Sequence, residues 1–262
     1  MRFDLGPYDQ YYLAAVVLIG TYCAAFTLLW LSQRSRYADF IKSFRGIAQN
    51  FLTVINVIFA LNLAFLANDT WNARDQALSA VYRESGSLMN ILDFAKNLPE
   101  TTKSHVIQAV ETYAHLTVTT EWPRLARRES SREVSQHLDA LMGIVSGSDV
   151  SSAVDSSVAA QLLQQAVDVR SMRDLRIALS LTHVNPLKWL GMVFLGFLTM
   201  ISIVMVHVDQ RRAQLMAVLL FATASAPTAA IILIHGNPFQ DPLAVSPAPL
   251  VDIARPEPNA GS

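Results

Sequence analysis

Residues 59–74 read FALNLAFLANDTWNAR. An apolar run carrying one asparagine, Asn62, passes without Gly or Pro into Asn68-Asp69-Thr70, then into Trp71-Asn72-Ala73-Arg74. A helix that ended at the edge of its apolar surroundings would carry a stop signal there. The missing signal predicts one helix that leaves an apolar medium and continues into a polar one.

Composition identifies the medium. The chain of 262 residues is 52% hydrophobic and 16% charged, against about 25% charged in an average soluble domain. Four stretches hold no Asp, Glu, Lys or Arg: Tyr12–Leu31, Phe51–Ala67, Trp189–Val208 and Gln214–Ile234. A bilayer core of about 30 Å needs about 20 helical residues, so each is a spanning candidate. The second reaches full length if its helix begins near Ile47. The first does not read as a signal peptide: its basic flank is Arg2 alone, its apolar run is too long, and no small-x-small site follows Leu31. Cys23 is the single cysteine, which excludes a disulfide framework or a cysteine metal site within one chain.

The expected class is all-α, four transmembrane helices with a helical extramembrane domain. The first helix pair occupies 1–67. The extramembrane domain covers 68–186, its first helix continuous with the second span. The second helix pair covers 187–235, and a Pro-rich tail, extended or disordered, covers 236–262. Within the domain, Leu98-Pro99 stops the long helix. A helical stripe of Val106, Ile107, Val110, Tyr113, Ala114 and Leu116 follows. Glu121-Trp122-Pro123 reads as a turn with an anchoring indole. Ser130 and Glu133 form a capping box for a helix to about Val145, and a last helix runs from about Val154 to Leu181.

At about 100° per residue, Val54, Val57, Phe65, Asn68, Asn72, Asp75, Ser79, Arg83 and Gly86 all fall within about 40° of Leu61. One face thus runs Val-Val-Leu-Phe through the membrane and Asn-Asn-Asp-Ser-Arg beyond it. A lipid-facing or packing stripe accounts for the apolar half. A polar half in the same register points to a face that meets water at one end. A ring of such helices makes a hydrophobic constriction opening into a hydrated vestibule, a geometry that gates by dewetting. Asn62 and Asn56 lie off the stripe and suit hydrogen bonding between helices.

FALNLAFLANDTWNAR resembles the second transmembrane helix of the bestrophin channels. The chain is similar over nearly its whole length to a bacterial bestrophin-like family. Two helices joined by a basic loop, the Trp-Asn-Ala-Arg helix, the Leu98-Pro99 break and Glu121-Trp122-Pro123 carry the resemblance. So do Arg211-Arg212 between two spans and the ending Asn237-Pro238-Phe239…Val245-Ser246-Pro247-Ala248-Pro249. The resemblance implies a homopentameric ion channel with neck positions Val57, Leu61 and Phe65, small inorganic ions as cargo, and no catalytic residues. Asn68, Asn72, Asp75 and Arg83 then line the vestibule. His235-Gly236-Asn237-Pro238-Phe239 lacks the acidic cluster of calcium-binding bestrophins, so no calcium clasp is expected.

Arg34, Arg36, Lys42 and Arg45 lie in one short loop, Arg211 and Arg212 in the other. The positive-inside rule puts both loops in the cytoplasm and the helical domain outside, in a bacterial inner membrane. The bestrophin arrangement is the reverse.

No two histidines are spaced i, i+4, and none pairs with a carboxylate in a zinc pattern. No phosphate loop, dinucleotide fingerprint or nucleophile elbow occurs. The net charge of −1 is uninformative about a nucleic-acid partner, and with no basic stripe interleaved with aromatics none is expected. The sequence therefore predicts no enzyme, no cofactor and no metal. The reading of a different kind is a non-conducting membrane scaffold or sensor whose helical domain binds a partner.

Overall fold

A computed structural model describes residues 9–34, 45–181, 186–241 and 243–254. Among them no strand occurs. Arg2, Arg36 and Lys42, used above, lie outside the described residues. The chain divides into two compact units, Met1–Asn72 with His183–Gly236, and Ala73–Thr182 with Asn237–Ser262.

The first unit holds α1 (Asp9–Arg34), the first part of α2 (Arg45–Ala95), α8 (Pro186–Val206) and α9 (Arg211–Ile234). These four helices are long and apolar enough to cross a membrane. Their contacts rest on small side chains that let backbones approach. Ala25 and Leu29 of α1 pack with Met200, Ile203 and Val204 of α8 and with Val218 and Ala222 of α9. Ala14 meets Ala230 and Leu233, and Leu66 of α2 meets Met192, Ala229 and Ile232. One buried amide ties three helices together: Gln214 accepts from Gln33 Nε2 at 2.9 Å and donates to the Val204 carbonyl at 2.9 Å. Gln214 is fully buried, so both ends of its amide are satisfied inside the protein.

The second unit holds the rest of α2, α3 (Glu100–Leu116), a π-helical turn (Thr117–Glu121), α4 (Trp122–Leu125), α5 (Arg132–Val145), α6 (Ser148–Ser151), α7 (Ser156–Leu181) and α10 (Ala248–Ala254). Its core joins Ala77, Val81, Leu88 and Ile91 of α2 to Val106, Val110 and Ala114 of α3, with Leu138 and Leu141 of α5 and Leu162 and Val169 of α7. The stripes are the i, i+3, i+4, i+7 pattern of amphipathic helices.

Three expectations change here. Glu121-Trp122-Pro123 does not end a helix: the backbone passes through the π turn directly into α4, with Pro123 in its first turn, and the irregular π turn lies where proline, lacking an N–H, interrupts the helical ladder. The Ser130–Glu133 capping box does not form. Ser131 is the N-cap, in extended conformation and without a side-chain cap bond. Its backbone is held elsewhere, the N–H on Glu121 and the carbonyl on Arg173. The third change is the tail, which is packed over most of its described length. Phe239, Val245, Leu250 and Ile253 join the core of the helical unit, and Ala248–Ala254 is helical. Proline excluded a long helix but not a packed one, because a short helix accepts proline in its first turn.

The same segment finishes α4. At its end the Leu125 carbonyl takes the Arg128 N–H at 3.0 Å, and side chains of the tail bring further donors to Leu125 and Ala126. Asn237 Nδ2 donates to the Leu125 carbonyl at 3.2 Å, and Gln240 Nε2 donates to that of Ala126 at 3.0 Å. Ser85 of α2 donates to the Pro249 carbonyl at 2.8 Å. Phe239 meets Trp122 edge to face, with centroids 5.5 Å apart.

Leu250 is fully buried, so Leu250→Ala is expected to cost about 2–5 kcal/mol. Thermal or denaturant unfolding of the full chain measures it. An unchanged midpoint would put Leu250 outside the core.

Candidate functional site: the exposed face of the long helix

α2 presents two opposed faces, and each unit can be taken separately. In the membrane unit Val54, Val57, Leu61 and Phe65 are exposed, from 53% at Leu61 to 64% at Phe65. Asn68 and Asn72 continue as exposed residues. The opposite side is covered: Leu66 is fully buried, and Thr70 is buried with its hydroxyl donating back to the Leu66 carbonyl at 3.1 Å. Asn62 is half-buried, and its Nδ2 is the nearest atom to where a Cβ on Gly191 of α8 would lie. It thus turns toward a neighbouring helix, away from the exposed stripe. Asp69 lies beside the stripe and is ion-paired with Lys188 of α8 at 2.6 Å.

In the helical unit Asp75, Ser79 and Arg83 are exposed, while Ala77, Ala80, Val81, Glu84 and Leu88 are buried. Neither Asp75 nor Arg83 has an ion-pair partner among the described residues. Alanines and one carboxylate on the packed side, and free polar groups on the open side, give α2 a fixed inward and outward face.

The carboxylate is the anchor of a buried ion network that the sequence did not announce. Arg176 of α7 reaches Glu84 with two bonds, Nε to Oε2 at 2.9 Å and Nη2 to Oε1 at 3.0 Å. Its Nη2 also reaches Glu121 Oε2 at 3.2 Å. Arg173, one turn earlier on α7, holds Glu121 through Nε at 3.1 Å and Nη2 at 2.6 Å. Tyr113 of α3 donates to Glu84 Oε1 at 2.6 Å. Trp122 places its ring 5.2 Å from the Arg176 guanidinium carbon, a cation–π contact. Two carboxylates face two guanidiniums, so the cluster is neutral and its charges stay within hydrogen-bond reach of one another.

Burial, reinforced by the charge on Glu84, holds the Tyr113 phenol well above its ordinary pKa and keeps it a donor. Burial opposes the charge on Arg176, but Glu84 above all, with Tyr113 and Glu121, outweighs it and holds that guanidinium above its ordinary value. The π turn does geometric work here. One extra residue per turn re-aims the side chain that follows, and Glu121, at its end, points fully into the core.

Both carboxylates and the phenol are fully buried and bonded to one another or to Arg173 and Arg176. Among the described residues no group of three or more His, Cys, Asp or Glu side chains can hold a metal ion. The arrangement positions α2: Glu84 clamped on one side fixes which way Asp75, Ser79 and Arg83 turn on the other. Arg173 and Arg176 lie at i, i+3 on one face of α7. That spacing was the available sequence signal, though surface arginines share it.

Breaking a buried pair strands its partner charge, at about 3–5 kcal/mol. Arg176→Met is therefore expected to lower the unfolding free energy of the full chain by about that much. A loss under 1 kcal/mol in denaturant unfolding would show the network to be energetically idle.

The family model described as "Bestrophin-like domain" matches residues 19–250. No curated protein matches the chain. A crystal structure described as that of a membrane protein, a proline-to-alanine variant, shares the fold with a TM-score of 0.63 at 10% identity. The match covers 94% of this chain and 96% of that one. Identity that low speaks to fold alone. The four apolar helices make this a multi-pass protein of the lipid bilayer, and the family suggests a channel-type function rather than an enzymatic one. The matched stretch includes the exposed face of α2, the ion network and the segment that caps α4: the chain belongs to the bestrophin-like family.

Proposed function

We propose that the chain is one subunit of a homo-oligomeric ion channel, a pentamer by resemblance, whose pore is lined by α2. The observation that carries the reading is the exposed face on which Val57, Leu61 and Phe65 give way to Asn68, Asn72, Asp75 and Arg83, while the opposite face is half-buried through the span and buried from Leu66 onward. Val57, Leu61 and Phe65 form the neck, narrow and apolar enough to close by dewetting. Beyond it, Asn68 and Asn72 offer amides that solvate either sign of ion through N–H or C=O. Asp75 then contributes one carboxylate per subunit, nearer the neck than the guanidinium of Arg83. A charged ring biases which ions gather at a constriction, so the channel prefers cations weakly.

Purified protein in planar bilayers tests this. Currents above the empty-bilayer control are expected. Leu61→Ala is expected to change conductance with little loss of stability, and Asp75→Asn to shift the reversal potential in a salt gradient toward the anion value. Repeated reconstitutions without current would leave the scaffold or sensor reading. An unmoved reversal potential would remove Asp75 from the pore.

For orientation in the bacterial inner membrane, the charge rule favours both basic loops inside and the helical unit outside. With Cys23→Ala as background and Ser148→Cys as reporter, a membrane-impermeant thiol reagent is expected to label intact cells. Labelling that appears only after lysis would reverse the assignment.

A further inference from the structure

Within the membrane unit, α1, α2, α8 and α9 leave a cavity of about 330 Å³ among Gly20, Phe59, Gly196, Phe197, Phe221 and Ala226. That is about twice the engineered cavity of about 150 Å³ that stays dry and takes benzene. Unlike that one, it is open on one side, where Val16, Val193 and Phe197 are exposed.

The lining specifies the ligand. Its only side-chain polar atoms are the hydroxyls of Thr21 and Ser225. Both donate to their own helices, Thr21 to the Val17 carbonyl at 2.7 Å and Ser225 to that of Phe221 at 2.8 Å. No donor is left to recognise a polar group, so the occupant is hydrocarbon. Two glycines shape the space. A Cβ on Gly196 would meet the Phe59 ring at 3.2 Å, whereas one on Gly20 would meet nothing within 4 Å. Phe59 is seated over α8 and held beside Phe221, with ring centroids 5.4 Å apart, while the α1 side stands open.

The mouth specifies the source. Val16, Val193 and Phe197 line the cavity and are 42–55% exposed. They are continuous with the exposed apolar surface of α1 and α8 at Ile19, Leu190 and Phe194, which in a spanning helix pair is the interface with lipid tails. Phe59 lies about 160° around α2 from Leu61, so the cavity opens on the side of α2 away from the proposed pore face. This last step rests on the pore reading above. We propose that the cavity is a binding site for one acyl chain of a bilayer lipid, entering between α1 and α8 and ending against Phe59.

The full chain, reconstituted in phosphatidylcholine vesicles containing a trace of phosphatidylcholine with a diazirine-bearing acyl chain, is irradiated and its labelled peptides are mapped. Label is expected on interior lining residues such as Phe59 and Ala226, as well as on outer residues such as Ile19 and Phe194. Gly20→Leu, whose side chain enters open space, is expected to abolish the interior label and keep the outer label. Gly20→Met serves if the leucine variant fails to assemble. Label confined to outer residues, or interior label unchanged in both filled variants, would overturn the site. Absence of label even at Val193 and Phe197 would mean that another copy of the chain covers the mouth, and would overturn it too. None of these readouts depends on current, so a silent channel with interior label leaves the site standing and removes only the pore.

Discussion

Arg176 holds Glu84 and Glu121 at once, and the helical unit is arranged around that fact. A guanidinium taken out of water is costly unless its donors meet acceptors of matching geometry. Here Nε and Nη2 meet carboxylate oxygens from α2 and from the end of the π turn, and Tyr113 and Arg173 donate to the same two carboxylates. The apolar stripes would bring α2, α3 and α7 together in several rotational settings at similar cost. The bidentate bond to Glu84 accepts one. Once Glu84 turns inward, its neighbour Arg83 and the residues in line with it must turn out. A buried ion pair thus sets the face that meets solvent, although none of its members touches that solvent.

The parts of the fold that were legible in the sequence are those set by solvent preference. Charge-free runs mark the spans because lipid tolerates few charges, and the unbroken passage from Phe65 to Asn72 marks one helix because no breaker intervenes. The two faces of α2 were legible as well: every residue placed near Leu61 on the wheel from Val54 to Arg83 is exposed in the structure. That exposure is a property of one chain, and it is what the pore reading needs.

What was illegible depends on contacts between distant residues. Glu84, Arg173 and Arg176 look like surface charges one at a time, and only their meeting across α2, the π turn and α7 makes them core. Ser130 and Glu133 matched a local capping pattern, but Ser131 had stronger claims on its backbone from Glu121 and Arg173. The tail misled for a related reason. Its prolines speak against a long helix, whereas its burial is decided by Phe239, Val245, Leu250 and Ile253 finding the core of residues far earlier in the chain.

That last feature bears on how the protein is made. The helical unit is built from two separated pieces of chain, Ala73–Thr182 and Asn237–Ser262, and both final spans are synthesised between them. Until Asn237, Phe239 and Leu250 leave the ribosome, the Ala126 carbonyl lacks its side-chain donors and the core lacks its last apolar wall. The unit can therefore complete itself only after α8 and α9 have been made. Biogenesis runs against the usual order in which a domain folds as soon as it emerges, and a half-built subunit carries an exposed apolar seam for chaperones to recognise.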